Sequence, residues 1–286
     1  MPEVTLRRPQ ANDSEELGRI CYEAFKDISE SHGFESDFPT VEFARIVIAA
    51  SIARENQYGT AAFLDGRAAG SNFLTLLDEV GGVGPVSVDP PAQGHGIGRR
   101  LMLDVLEYAR NNGIERVRLV QDAFNVVSMS LYSSLGFDTK APLGMLLIAP
   151  AEQPDESIRR VEPGDLDWAG ELGREMYKVS RRDEFAVAPM MGMTPILLER
   201  GGRRSGYLIP GFVGHGLAET EEDMLAMMGE AARQSQYPVR ILVPLIEGSL
   251  FRKALARGHR LGKMMNLMAL GPYEEPEGVW IPSVMY

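Results

Sequence analysis

The stretch VSVDPPAQGHGIGRRLM, Val86 to Met102, constrains the chain more than any other part of it. A short β-branched run meets a Pro-Pro brake, three glycines follow at alternate positions, and two arginines open an amphipathic helix. Proline has no N–H to give a ladder, so the strand stops there. Glycines let the backbone pass through positive φ and approach a ligand closely. A helix start carries unpaired N–H groups and a partial positive charge. Arg99 and Arg100 oppose that dipole unless an anion lies nearby. The physical reading is a strand–turn–helix unit that holds a diphosphate.

Two familiar phosphate motifs do not fit. A Walker loop needs Gly-Lys-Ser/Thr after its second glycine, which the chain lacks. The dinucleotide fingerprint beginning at Gly94-x-Gly96 needs a third glycine where Arg99 stands.

The totals narrow the class. At 286 residues the chain is long enough for two domains. With 44% apolar and 24% charged residues, a packed, soluble protein is expected. The apolar runs are too short to span a bilayer, and the first residues hold no apolar signal core, so a cytoplasmic setting is expected and a membrane partner is not. A formal net charge of −11 argues against nucleic acid as a partner; it suits a cationic substrate or serves solubility alone. The one cysteine, Cys21, shares a helical face with Leu17, Ile20, Ala24 and Phe25, so it reads as core. The four histidines show no ligand spacing, and no metal is expected.

The chain also repeats itself. LRRPQANDSEELGRICYEAF begins at Leu6 and IRRVEPGDLDWAGELGREMY at Ile158. Each gives a strand end, a turn, an aspartate (Asp13, Asp165) and a helix. Hairpins then turn at Asp65-Gly66 and Gly201-Gly202, with Gly70 and Gly206 in matching places. Gly-His-Gly recurs at Gly94–Gly96 and Gly214–Gly216, each time ahead of a helix. Two copies of one fold are expected, at 1–150 and 156–286, joined by a polar, proline-bearing linker from Pro150 to Ser157. The order of elements gives a mixed α/β (α+β) fold.

The turn and a second segment together carry a resemblance. Gln93-Gly94-His95-Gly96-Ile97-Gly98 resembles the Gln/Arg-x-x-Gly-x-Gly/Ala motif of the GNAT acetyltransferase superfamily, entered through VSVDPPA. Asn125, Ser128, Leu131, Tyr132, Leu135, Gly136 and Phe137 resemble that family's second signature. The resemblance covers residues 3–149. It implies a central mixed, mostly antiparallel sheet flanked by helices, with acyl-CoA, most commonly acetyl-CoA, as co-substrate in an opening between the fourth and fifth strands. Val86 and Val88 would lie along the pantetheine arm, and the N–H of Val88 would polarise the thioester carbonyl. Gly94 to Arg99, with Arg100, would hold the pyrophosphate. Asn125 would bond the cofactor or order the next helix, with Ser128 beside it. Tyr132 would give a proton to the leaving thiolate. Glu79 is the first choice of general base, with Asp78, Asp122 and water as alternatives. His32, Glu35, Asp37 and Phe38 fall in the segment that contributes to acceptor binding in the superfamily.

The implied activity is N-acyl transfer to a primary amine on a small molecule, or second on a peptide or protein. The competing reading is an acyl-CoA-binding regulator without catalysis; a structural dimerisation protein is the third. The second copy looks degenerate. AETEED, Ala218 to Asp223, replaces the arginine pair, and aligning Gly258 with Gly136 puts Ala254 opposite Tyr132. Its methionines, around Met190 and Met224, line an apolar pocket or form core. The apolar tail GVWIPSVMY is expected to dock, by completing a sheet, covering the first copy or making a homodimer contact. Its terminal carboxylate, on Tyr286, is a further base candidate, as in the N-myristoyltransferase branch.

Overall fold

The computed structural model describes residues 3–246 and 248–285. In chain order the elements begin with β1 (Val4–Arg7), α1 (Ser14–Ser31), α2 (Val41–Ala53), β2 (Gln57–Leu64), β3 (Arg67–Leu77), β4 (Val80–Val83), β5 (Ser87–Val88), α3 (Ile97–Asn111), β6 (Val117–Asp122), α4 (Val126–Ser134) and β7 (Asp138–Leu147). They continue with β8 (Ile158–Arg160), α5 (Leu166–Leu172), α6 (Glu184–Val187), β9 (Ile196–Arg200), β10 (Arg203–Leu208), β11 (Gly216–Ala218), α7 (Glu221–Gln234), β12 (Arg240–Pro244), α8 (Gly248–Ala256), β13 (Arg260–Leu270) and β14 (Val279–Ile281). The fold is mixed α/β, its sheets mostly antiparallel.

The chain forms two compact units. The first runs to Leu76 and includes Val80–Arg118 and Ser130–Leu135; the second takes Leu77–Glu79, Leu119–Met129 and everything from Gly136. In the first, β1, β2 and β3 are antiparallel neighbours, and β4 runs parallel to the start of β6. The β2–β3 turn has the expected two residues, with Asp65 and Gly66 both at positive φ, the type I′ geometry that follows strand twist. On one face Leu17, Ile20 and Cys21 of α1 pack against Ala44 and Ile48 of α2 and Phe73 of β3. Burial pushes the Cys21 thiol far above its ordinary value, so it is a core residue and no nucleophile. Phe38, expected near the acceptor, lies in this same core, edge-on to Phe25 at 4.9 Å. On the other face α3 buries Ile97, Leu101, Met102, Val105, Leu106 and Ala109. Each large aliphatic among them is worth about 1.5–3 kcal/mol, which fixes the helix against β2 and β5.

The second unit holds two sheets. One has the order β14-β11-β10-β9-β8. In the other, β6-β13-β7-β12, strand β7 lies between β13 and β12, both from the C-terminal half of the sequence. Met224, Met227 and Met228 are fully buried among Leu225, Ile241 and Leu250 and are ordinary core.

Several devices recur between the halves. Arg7 makes two bonds to Asp13, and Arg159 two to Asp165, each aspartate also closing a capping box. The β9–β10 turn repeats the type I′ pattern with Gly201 and Gly202. Gly70 lies opposite Val88 and Gly206 opposite Ala218; at both, a Cβ would collide with the backbone of the facing strand. Gly136 and Gly258, both at positive φ, each end a helix ahead of the next strand.

One correspondence fails. The Gly-His-Gly at 94–96 leads into a helix, whereas Gly214–Gly216 leads into strand β11. His215 is fully buried, its ring between the Tyr207 hydroxyl (3.1 Å) and the Glu184 carboxylate (2.9 Å). A tripeptide match carries no register, and neighbouring burial sets its conformation.

Candidate functional site

The first unit contains an open strand edge leading into the glycine turn. β4 pairs with β6 at Gly81↔Val117 and Gly82↔Arg118. After Gly84, whose N–H bonds Phe73 O, the chain returns as β5 and pairs with β3. The Asp89 N–H bonds Ala69 O at 2.9 Å. Antiparallel ladders alternate, so the Gly70–Val88 pair is a non-hydrogen-bonded one. The Val88 N–H and C=O therefore turn away from β3. The carbonyl accepts a bond from Gln93 Nε2 at 3.2 Å, which ties the strand to the turn.

The turn itself is anion-shaped. Gly94 (φ 80°) and Gly96 (φ 73°) are left-handed, and the space where a Cβ would stand is open at both. The first helical bond of α3 runs from Arg100 N–H to Gly96 O, so the N–H groups of Ile97, Gly98 and Arg99 precede the ladder. Gly96 caps the helix without a side chain, and no acid occupies the first turn. The Ile97 side chain is core; only its backbone faces the turn.

Three side chains at the turn make bonds within the chain. The exposed His95 turns its Nδ1–H onto the carbonyls of Ala92 and Gln93. Arg100 donates to Val4 O of β1 (3.1 Å), a tie across the fold. Arg99 donates to Ser134 Oγ at 2.8 Å, joining the start of α3 to the end of α4. Leu131 lies 3.5 Å from where a Cβ on Gly98 would be, so α4 packs beside the same turn. Tyr132, next along, is the one buried residue of α4.

Asn125 and Ser128 fall in the second unit. Asn125 Oδ1 accepts the Ser128 N–H at 3.0 Å and caps α4, which is the helix-ordering role. Ser128 Oγ donates to Asn125 O. Gln121, which sequence reasoning missed, donates to Asn125 O (2.8 Å) and Ser128 Oγ (3.2 Å), and accepts from Asn266 Nδ2 of β13 (3.1 Å). No local signal marks Asn266, because the pairing spans the sequence.

The base candidates also lie in the second unit. Glu79 sits at the tip of the β3–β4 hairpin, 4.0 Å from Arg174. Asp78 is half-buried and accepts the Asp183 N–H at 3.0 Å; burial holds its carboxyl above the usual carboxylate range. Asp122 pairs with the buried Lys263 at 2.6 Å. The tail does complete a sheet: β14 pairs with β11, and Trp280 is fully buried. Tyr286 lies outside the described residues. Among the described residues no cluster of His, Cys, Asp or Glu is placed to hold a metal, and no helix is long and apolar enough to cross a membrane.

Residues 20–137 match the acetyltransferase (GNAT) family. Among curated relatives, the mycothiol acetyltransferase of Thermomonospora curvata is 43% identical over 74 residues, 26% of this chain and 25% of that protein. That of Kytococcus sedentarius is 30% identical over 152 residues, 49% and 48% of the two chains. The match therefore spans less than half the length of either relative. In fold, a putative acetyltransferase from Pyrococcus horikoshii superposes with a TM-score of 0.79 at 16% identity, over 97% of this chain and 92% of that one. A GCN5-related N-acetyltransferase from Sphaerobacter thermophilus does so at 0.64 and 16%, over 96% and 98%.

Proposed function

We propose that the chain is an acyl-CoA-dependent N-acyltransferase that moves an acetyl group from acetyl-CoA to a primary amine, with the chemistry in residues 1–150. The observation that carries this reading is the Val88 edge running directly into an uncapped, glycine-lined helix start. Backbone N–H groups there suit a pyrophosphate, and an outward strand edge suits the amide-bearing arm that follows it. The acceptor is a small amine; the relatives' name puts mycothiol-related amines in the first panel.

The residues have separate tasks. The Val88 N–H polarises the thioester carbonyl as the neutral amine attacks. The new C–N bond forms, the C–S bond breaks, and the Tyr132 hydroxyl protonates the departing sulfur. The proton lost by the amine passes to a general base, Glu79 by first choice, with Asp78, Asp122 and water as alternatives. Most of the acceleration comes from holding amine and thioester together.

Residues 156–286 read as a second copy without the cofactor chemistry. Thr220 caps α7 with its own side chain, three acids follow, and β14 occupies the edge of β11. Calorimetry with acetyl-CoA, followed by an amine panel, tests the reading. Saturable binding with turnover of a panel member is expected. Binding without turnover favours the regulator, and absence of binding in folded protein ends both.

A further inference from the structure

We propose that Asn266, on β13 in the C-terminal half, is a positioning residue for acyl transfer. Through Gln121 it fixes the Asn125 cap and hence the helix that carries Tyr132. This rests on the reading above.

Gln121 is buried at 4% exposure, so its amide must find partners on both sides. Its Nε2 faces two oxygens, Asn125 O and Ser128 Oγ. Only the amine end of the side chain satisfies that position; a flipped amide would aim oxygen at a carbonyl. Asn266 Nδ2–H donates to Oε1 at the other end, so both ends of the Gln121 amide are engaged. The backbone supports the same register, with Ala123 N–H bonding Met264 O of β13 at 3.0 Å. One residue before, the buried Lys263–Asp122 pair ties the end of β6 to β13.

The consequence reaches α4. Asn125 O receives bonds from Gln121, the Ser128 hydroxyl and the Met129 N–H, while Asn125 Oδ1 receives the Ser128 N–H. The first turn of the helix is thus held by a side chain that β13 anchors through Asn266. Tyr132 is on the same helix, one turn beyond Ser128. A helix moves as a rod, so loosening its first turn displaces the hydroxyl. Residues 1–150 alone lack the Asn266 contact.

The test uses the full chain with Asn266→Ala, Asn266→Asp and Gln121→Glu. Asp in place of Asn266 cannot donate when ionised. Glu in place of Gln121 still accepts from Asn266 but turns an oxygen on Asn125 O. All three should lower kcat by about tenfold to a hundredfold, the scale of a sub-ångström to ångström misplacement. The KM for acetyl-CoA should change by less than about twofold, because the phosphate turn starts a different helix. Amide exchange at Ser128 and Met129 should quicken in each variant, whether or not turnover is measured. The double variant Asn266→Ala/Gln121→Glu should be no worse than Gln121→Glu alone.

Unchanged kcat and unchanged exchange in Asn266→Ala would overturn the inference while leaving the acyltransferase reading intact. So would a rise in KM with kcat unmoved. If wild type fails to turn over any amine, faster exchange at Ser128 and Met129 still supports the anchoring, and the functional reading alone falls. If Asn266→Ala does not fold, Gln121→Glu decides by the same two readouts.

Discussion

The strand edges at Val88 and Ala218 are built alike and end differently. Each faces a glycine, Gly70 or Gly206, whose missing side chain lets the strands close up. At Val88 the outward carbonyl is met by the Gln93 amide of the turn, and the helix beyond begins with no side-chain cap. At Ala218 the outer side pairs with Val279 of β14, and the helix beyond is capped by Thr220 and led by Glu221, Glu222 and Asp223. Backbone polar groups must find partners somewhere. At Ala218 they find them in β14; at Val88 they turn away from β3, the carbonyl towards Gln93. The pair teaches that one strand-and-helix pattern can end with its outer edge closed by a strand or turned to a loop.

The largest effect should come from the first copy. Tyr132→Phe is expected to reduce kcat by about 10³-fold, on the order of 4 kcal/mol, with acetyl-CoA affinity little altered. Steady-state kinetics beside calorimetry check it. A variant with wild-type kcat would make Tyr132 a packing residue, and the proposed difference between the two halves would then rest on the strand edge alone.

The next effect concerns the plug. Trp280, fully buried on β14 and edge-on to Tyr177 at 5.6 Å, should cost about 3–5 kcal/mol when cut to alanine. Chemical denaturation gives the number. Calorimetry on the folded variant should still find a single site per chain, because the acids of α7 repel a diphosphate even with the edge loosened. A second acetyl-CoA bound by Trp280→Ala would show that β14 is all that separates the two edges.

Much of this was legible beforehand, and the physical reason differs by element. The two type I′ turns, the α1 face with Cys21 and the glycine turn depend on near neighbours, so short stretches such as Asp65-Gly66 or Gly94–Gly98 determine them. The Arg-to-Asp brace was visible as a repeat because both its partners lie six residues apart. What escaped were long-range pairings. Nothing near Asn266 announces Gln121, and β7 gives no local hint that it lies between β12 and β13. The Gly-His-Gly match misled for the same reason. Gly96 is held by a helix start, Gly216 by strands on both sides.

The two histidines of that match offer the mildest test. His215 is fully enclosed, and burial first, then the Arg181 charge, hold it below its ordinary range. Neutral at Nε2, it accepts from the Tyr207 hydroxyl, and its Nδ1 lies 2.9 Å from a Glu184 carboxylate oxygen. Glu184, paired with Arg181 and His215 against the opposing effect of burial, is held at about 2. Both groups bind protons more readily in the unfolded chain, so stability rises with pH where they differ. His215 contributes fully above about pH 6.5 and progressively less as acid protonates the unfolded chain; Glu184 adds a second loss from about 4.5 down towards 2. One such group gives a slope of at most about 1.4 kcal/mol per pH unit. Denaturant titrations at pH 7.5, 6.5 and 5.5 should show the wild type losing stability across that range. His215→Gln should be less stable throughout yet flatter, with the part of the slope due to His259, also lowered by burial, remaining. An equal slope in the variant would mean that His215 titrates as it does in the unfolded chain.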